Sequence, residues 1–310
     1  MELSNPELIA LGSARSGQRG HVRSLIECVR PAQWVKNAFV LAPLVFSGKL
    51  LDPRSVLQAA GAALAFCFAA SAVYSWNDIL DRTSDLMHPD KRTRPIPSGR
   101  LSVRNARILS VVLLALSLVF GFGVNVPAGM LVSAYLAINF LYGLWLKHVV
   151  VVDLMCVALG FVLRVWTGAV AIHVEASHWL LMCTLLLALT LSIFRRREEA
   201  VMLGDHSVKH RNVLSQYSAA WFDQAGMMLS GATIVAYALY TVAPETQARF
   251  GTDHLFYTLP FVVFGILRYL HLVHSGGRTG NPSAVLMEDK PLLGCVVAWI
   301  ASCALIIYMR

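Results

Sequence analysis

Three oxygen-bearing side chains recur at four-residue intervals in Tyr74-Ser75-Trp76-Asn77-Asp78-Ile79-Leu80-Asp81-Arg82-Thr83-Ser84-Asp85. On a helix, Asn77, Asp81 and Asp85 line one face, and Tyr74 lies on that face one turn earlier. Asp78 is turned about 100° away and is a weaker ligand. A row of hard oxygen donors suits Mg2+, which takes one or two carboxylates and fills its shell with water and substrate phosphate. A helix end with merely solvated carboxylates would show the same letters. The apolar run leading into Asn77 and Asp81 favours the functional reading, because polar side chains at membrane depth are costly and usually functional.

The next stretch, His88-Pro89-Asp90-Lys91-Arg92-Thr93-Arg94-Pro95-Ile96-Pro97-Ser98-Gly99-Arg100, sets four cations directly after the acidic row. Carboxylates that hold a metal beside Lys91, Arg92, Arg94 and Arg100 that hold phosphates would suit a polyanionic substrate. A basic loop that only sets membrane orientation is the alternative. Three more cations sit deeper: Lys36 in Arg30-Pro31-Ala32-Gln33-Trp34-Val35-Lys36-Asn37, Lys147 after Tyr142-Gly143-Leu144-Trp145-Leu146, and Arg164 inside Gly160-Phe161-Val162-Leu163-Arg164-Val165-Trp166. An arginine in mid-span needs a partner or a wet cavity. Asp153, eleven residues earlier and on the same face, is a candidate partner. For Lys36 the alternative is a side chain that snorkels to the interface. Arg195, Arg196 and Arg197 point in different directions on a helix, so at most one or two face a common pocket.

No histidine stands in an HExxH pattern, and the chain holds no GxSxG, Walker A or strand-linked GxGxxG motif. The chemistry implied is Mg2+ and phosphate without an obvious histidine base. Cys28, Cys67, Cys156, Cys183, Cys295 and Cys303 form no CxxC pair and read as small apolar residues, with neither disulfide nor zinc.

The elements that must position these groups are membrane helices. Of 310 residues, 56% are hydrophobic and 14% charged, with mean hydropathy +0.60, whereas a soluble domain carries about 25% charge. An ordinary soluble enzyme, a disordered chain and a secreted disulfide scaffold are excluded. The fold expected is an all-α polytopic membrane protein with nine transmembrane helices, near 33–51, 55–80, 106–126, 128–146, 149–172, 178–195, 224–244, 254–273 and 291–309. Residues 1–30 read as a polar, basic N-terminal segment without a cleavable leader, and 31–310 as one membrane domain. With the N-terminus inside, 21 of the 26 Lys and Arg residues fall on the inner side. Lys49, Arg54, Arg249 and Arg310 fall outside, and Arg164 lies within a span. This asymmetry predicts a multi-pass protein of the bacterial inner membrane, N-terminus in, with the acidic row facing the cytoplasm. The net charge of +8 then reports orientation, and no nucleic-acid partner is expected.

The NDxxDxxxD pattern over Asn77–Asp85, at the inner end of a second span among nine, resembles the UbiA superfamily of intramembrane prenyltransferases. The resemblance covers nearly the whole chain and implies a UbiA-like helical bundle with a cytoplasm-facing cavity. Typical members carry a second motif, DxxxD, at the end of the sixth span, where this chain has Arg195-Arg196-Arg197-Glu198-Glu199. That departure argues against ordinary prenyl transfer from a polyprenyl diphosphate to an aromatic acceptor, which is kept as the rival reading. The stretches RPAQWVKN, NDILDRTSDLMHPDKRTRPIPSGRL, YGLWLKHVVVVD, GFVLRVWTGAVAI and FRRREE are similar to a phosphoribosyltransferase branch of the superfamily. That branch joins 5-phosphoribosyl diphosphate (PRPP) to a long-chain polyprenyl (decaprenyl) phosphate, releases pyrophosphate, and feeds cell-wall arabinan synthesis in mycobacteria.

The resemblance implies Mg2+ as cofactor, PRPP and the lipid phosphate as partners, and sites at Lys36, Tyr74, Asn77, Asp81, Lys91, Lys147 and Arg164. Joined to the residue reading, it gives metal ligands Asn77, Asp81 and Asp85, and PRPP contacts from Lys91 and Arg94. Lys36, Lys147 and Arg164 are then left for the lipid phosphate. A transporter or a non-catalytic lipid scaffold is a third reading, but it lacks the expected inverted repeats and broken mid-bilayer helices. Assembly as a homo-oligomer is left open. The topology has a direct check: Ser98→Cys in intact cells should react only with a membrane-permeant thiol reagent, and labelling by an impermeant one would overturn the orientation.

Overall fold

A computed structural model describes residues 22–87, 91–203, 216–275 and 282–309. The first 21 residues of the expected N-terminal segment, the His88-Pro89-Asp90 part of the basic loop, and Lys209, Arg211, Arg278 and Arg310 lie outside them. Among the described residues there is no strand, and eight helical stretches are long and apolar enough to cross a membrane. They are α1 (Pro53–Leu80), α2 (Val103–Val124), α3 (Val126–Leu144), α4 (Val152–Ala171), α5 (His178–Leu203), α6 (Ala219–Val242), α7 (Leu259–His274) and α8 (Lys290–Tyr308). The 3-10 turn His254–Thr258 leads straight into α7 and lengthens that stretch to His254–His274. These are eight of the nine predicted spans, with ends that differ by a few residues.

The helix starts are written locally. Asp52 accepts from the amides of Arg54 and Ser55 ahead of α1, and Pro53 occupies the first helical position, where no amide is needed. Ser102, Asn125, Ser218 and Asp289 cap α2, α3, α6 and α8 in the same way. Asn125 also donates from its amide to the Val170 carbonyl at 2.9 Å, fastening the start of α3 to the end of α4.

The predicted first span, 33–51, requires correction: it is not a regular membrane helix. Pro31–Leu41 is a 3-10 helix, followed by one α-turn at Ala42–Val45. Pro31 and Pro43 remove amides that a continuous α-helix would use. At about 2.0 Å per residue, the 3-10 stretch and the α-turn together reach about 28 Å. One end is tied at Arg30 to Asp78, near the end of α1. Beyond the other end, Lys49 donates to the Ile172 carbonyl at 2.9 Å, next to the end of α4. This leading segment therefore runs the length of the bundle beside α1 and α4, although it is too irregular to count as a ninth helix.

Consecutive helices α1 to α6 pack as antiparallel neighbours, α1 also touches α3 and α4, and α7 pairs with α8. The buried face of α1 is largely small: Ala59, Ala62, Ala65, Ala69, Ala70, Ser71 and Ala72. Small faces let membrane helices approach closely, where dispersion rather than water exclusion holds them together. Around Phe66 a core of Val40, Val73, Val132, Tyr135, Leu136 and Leu163 joins the leading segment to α1, α3 and α4. All six cysteines are free, as expected.

Gly168 of α4 is where the leading segment comes closest, since a Cβ there would run into the Val40 carbonyl oxygen and reach 3.2 Å from Pro43 Cδ. Gly231 of α6, with nothing within 4 Å of its Cβ position, is the control. Thermal unfolding in detergent should show Gly168→Ala destabilised by about 1–3 kcal/mol and Gly231→Ala unchanged or slightly more stable. Equal behaviour of the two would refute this packing.

Candidate active site

One end of the bundle gathers the ionic residues. It receives the end of α1, the short helix Arg82–Met87, the 3-10 turn Lys91–Thr93, the turn Leu146–His148 between α3 and α4, and the end of α5. Asp78 is one of its buried carboxylates, 3% exposed. Arg30 Nη2 lies 2.6 Å from both of its oxygens, and Arg94 Nη1 donates to Oδ1 at 3.0 Å. The same Arg94 nitrogen reaches Asp85 Oδ2 at 2.8 Å. Burial pushes the Asp85 carboxyl up from its ordinary pKa, while the charges of Arg94 and Lys91 oppose the rise. Asp78, which sequence spacing ranks as the weaker candidate, is thus the hub of a four-residue ionic cluster.

Arg94 is carried there by a compact loop. The Leu101 amide donates to the Pro95 carbonyl, the Ser98 amide to the Arg94 carbonyl, and Arg100 Nη2 to the Thr93 carbonyl at 2.6 Å. Gly99 has φ +77°, in the left-handed region that glycine adopts at little cost. Ile96 and Leu101 are buried against Cys28 and Ala106, so the cationic loop is packed down rather than afloat.

The expected row divides at Asp81. Helix α1 ends at Leu80, with Asp81 as its C-cap. Asp85 stays in helical register, its amide donating to the Asp81 carbonyl, but its carboxylate belongs to Arg94. Asp81 Oδ1 accepts from Lys147 Nζ at 2.7 Å, and its side chain keeps 39% exposure. Asn77 Oδ1 is buried with no hydrogen-bond donor. It faces Gly143 of α3, where a Cβ would come within 2.5 Å of that oxygen. Among the described residues no three His, Cys, Asp or Glu side chains stand close enough to hold a metal. One orphaned amide oxygen and one accessible carboxylate remain. That donor set fits Mg2+ only where phosphates and water supply the other positions, which is how this ion is commonly bound.

The deeper cations separate into committed and available groups. Arg164 is 5% exposed and does not pair with Asp153, the candidate partner that a shared helical face had offered. Eleven helical residues separate the two by about 16 Å along the axis, beyond side-chain reach. Its Nε donates to Asn37 Oδ1 at 2.8 Å, Nη1 to the Gly160 carbonyl at 2.7 Å and Nη2 to the Tyr135 hydroxyl at 3.0 Å. The rings of Phe66, Tyr135 and Phe161 lie 4.7–5.4 Å from its guanidinium carbon. Asp153 pairs instead with Arg196 at 3.3 Å and accepts from Tyr217. Arg196 is also held by Glu199 and Tyr142, and Arg197 by Asp223. Of the three arginines, Arg195 is the exposed one, with a single long ion pair among the described residues, to Glu199 at 3.8 Å.

Sequence spacing therefore marks Lys36, Tyr74, Asn77, Asp81, Asp85, Lys91, Arg94, Lys147 and Arg164; Asp81, Asp85, Arg94 and Lys147 gather at this end of the bundle, whereas Arg164 lies at mid-bundle. Lys147 stands on Asp81 rather than with Arg164. Arg30, Asn37, Tyr135 and Gly143 were missed as site residues. Only the close spacing of Arg30, Lys36 and Asn37 hinted at the first two, and an isolated Gly143 in an apolar run carries no chemistry until its neighbour is known.

Fold and site define an α-helical integral membrane protein with a cluster of ionic and polar side chains at one end of the bundle. The chain belongs to the UbiA prenyltransferase family, whose sequence model matches residues 38–287. It is 32% identical to decaprenyl-phosphate phosphoribosyltransferase of Corynebacterium glutamicum over 290 residues, covering 92% of this chain and 87% of that protein. With the protein of the same name from Mycolicibacterium smegmatis it shares 31% over 297 residues, 93% of each. In fold it is similar to a UbiA homolog from Archaeoglobus fulgidus bound to GPP and Mg2+, with TM-score 0.70, 20% identity, and coverage of 93% of this chain and 100% of that one.

Removing Arg30 strands the Asp78 charge in a buried site. Arg30→Ala should cost about 3–5 kcal/mol, and the double variant Arg30→Met/Asp78→Leu should recover much of it. Additive losses in a double-mutant cycle would remove Asp78 from its place as the hub.

Proposed function

We propose that this protein transfers 5-phosphoribose from PRPP to a long-chain polyprenyl phosphate and releases pyrophosphate, with Mg2+ as cofactor. The supporting observation is the division of charge: one carboxylate–amide pair, Asp81 and Asn77, beside a separate gathering of cations. The names carried by the relatives point the same way. A soluble diphosphate donor and a lipid monophosphate acceptor need one metal–diphosphate site and one cationic site. A lipid diphosphate donor would be expected to use carboxylates on α5, where this chain presents arginines.

In the reaction, ribose C1 loses its bond to the pyrophosphate oxygen as an oxygen of the lipid phosphate forms a bond to C1 from the opposite face. The nucleophile is already an anion, so no general base is required. Asn77 Oδ1 and Asp81 would hold Mg2+, which supplies charge neutralisation to the departing pyrophosphate. Lys147, drawn to Asp81 in the free protein, sits where it can turn to a phosphate oxygen once Asp81 is otherwise engaged. Lys91 and Arg94 sit at the mouth, with Arg94 fixed in place by Asp78 and Asp85. Buried Arg164 adds a fixed positive field without itself reaching the surface. Such preorganised charge is a large source of catalysis in phosphate chemistry.

The leading segment completes a ninth crossing in this reading, which sets the N-terminus and the site on the cytoplasmic side of a bacterial inner membrane, where PRPP is made. The lipid product feeds cell-wall precursor synthesis.

The test is purified protein in nanodiscs with Mg2+, labelled PRPP and decaprenyl phosphate. A labelled lipid should form, and Asp81→Ala should lower its rate roughly 100-fold or more while the protein remains folded. A wild-type protein that consumes decaprenyl diphosphate with an aromatic acceptor and ignores PRPP would establish the conventional prenyltransferase reading instead.

A further inference from the structure

The turn that delivers Lys147 to Asp81 leads into a strained backbone. It is followed by Val149-Val150-Val151-Val152, four residues with no glycine or proline among them. Val151 nevertheless has φ 67° and ψ −40°, and it stands at the start of α4 with no side-chain cap. A β-branched residue rarely adopts positive φ, because its Cβ crowds the following carbonyl oxygen. The Val151 side chain is 44% exposed, so its own packing does not account for the strain. A conformation of this kind persists only where surrounding contacts over-determine it, and it gathers at functional sites.

Those contacts come from α5 and from Tyr217, the residue just before the Ser218 cap of α6. The Val151 amide donates to the Tyr217 hydroxyl at 2.5 Å, and that hydroxyl donates in turn to Asp153 Oδ1 at 3.2 Å. Asp153, 1% exposed, meets Arg196 Nε with its other oxygen at 3.3 Å. Arg196 Nη2 donates to the Tyr142 hydroxyl at 2.9 Å. Tyr142 precedes the Lys147 turn and Val151 follows it, so Tyr142, Arg196, Asp153, Tyr217 and Val151 together grip both shoulders of that turn. The Tyr217 ring is itself packed, with the Trp221 and Phe222 ring centroids 4.7 and 4.9 Å away. Burial pushes the Tyr217 phenol up to about 12, with Asp153 adding to the rise, so its proton stays in place to be donated.

We propose that Tyr217 is a positioning residue for Lys147: its hydroxyl holds the Val151 amide at positive φ and so keeps the Leu146–His148 turn where the Lys147 ammonium meets Asp81 at 2.7 Å. Tyr217 acts through the turn and not on the substrate. Without the hydroxyl, Val151 relaxes to negative φ, the turn reorients and Lys147 leaves Asp81. A glycine at position 151 adopts positive φ at no steric cost and removes the need for the clamp. The proposal rests on the transferase reading only for what Lys147 does once a phosphate is bound, because the placement of Lys147 is a property of the free protein.

The full-length protein in nanodiscs, acetylated briefly with acetic anhydride and read by mass spectrometry at each lysine, decides the matter. Tyr217→Phe should speed acetylation of Lys147 about 2- to 10-fold. Lys49, bonded to the Ile172 carbonyl at the other end of the bundle, should be unchanged. Adding Val151→Gly to Tyr217→Phe should remove at least about half of the increase. An unchanged Lys147 rate in Tyr217→Phe, a parallel rise at Lys49, or no restoration by the glycine would each overturn the proposal. In turnover of PRPP, Tyr217→Phe should lower kcat/KM about 2- to 10-fold and cause no further loss in a Lys147→Met background; additive losses would make Tyr217 merely structural. The acetylation needs no substrate. A protein whose Lys147 reactivity depends on Tyr217 but which never converts PRPP would refute the transferase reading and leave the positioning role standing.

Discussion

A carboxylate buried at membrane depth cannot stay charged alone, and the arrangement around Asp78 follows from that constraint. Transferring an isolated carboxylate into a low-dielectric interior costs several kcal/mol even after relaxation. Asp78 escapes this cost by drawing in two guanidinium groups from distant parts of the chain, Arg30 and Arg94. Arg30 fixes the start of the leading segment against α1. Arg94 fixes the loop that follows Arg82–Met87 and brings Asp85 into the same cluster. Remove the central charge and both the leading segment and the cationic loop lose the ionic tie that fastens them to the end of α1. The network is structural in what it touches and functional in what it positions.

With Asp78 and Asp85 occupied, the neighbouring polar groups are left to chemistry. Asp81 is the accessible carboxylate at the end of α1, and Lys147 arrives from the turn between α3 and α4 to neutralise it. Asn77 has an oxygen packed against residue 143, in room that exists because that residue is glycine. An unsatisfied buried amide oxygen is an expensive feature in a resting protein, and it is the kind of cost that binding sites retain. The α1 helix therefore divides its polar residues by partner: Asp78 with Arg30 and Arg94, Asp81 with Lys147, and Asn77 Oδ1 against Gly143 with no hydrogen-bond donor.

Arg164 shows how a positive charge is kept in mid-bundle without a carboxylate. An amide oxygen, a backbone carbonyl and a tyrosine hydroxyl take three of its N–H groups, and three aromatic rings lie near its guanidinium. Neutral partners solvate the cation without cancelling its charge. A carboxylate would have extinguished the field; this cage preserves it. On α5 the opposite strategy applies to Arg196 and Arg197, whose charges are cancelled by Asp153, Glu199 and Asp223. The contrast leaves Arg195 as the exposed arginine of that triplet, with one long ion pair to Glu199.

From the amino-acid sequence alone, eight membrane helices were legible with their approximate ends, because a bilayer demands long apolar runs whose backbone bonds are satisfied within each segment. The chemistry-bearing region was legible for the same reason: polar residues at the ends of such runs stand out against an apolar background. The four-residue spacing of Asn77 and Asp81 correctly gave a shared face, since helical periodicity is a local property. What the sequence could not decide was partnership. Asp153 and Arg164 share a face yet are too far apart along the axis to meet, while Asp153 and Arg196 meet although they lie on different helices. The leading segment failed as a helix because prolines and its close approach to Gly168 favoured a tighter winding, and that approach exists only after α4 is in place. Pairing of buried charges depends on which helix ends become neighbours, and interhelical packing sets that through small residues spread across four chain segments. Periodicity assigns each charge a direction, and only the assembled bundle assigns it a partner.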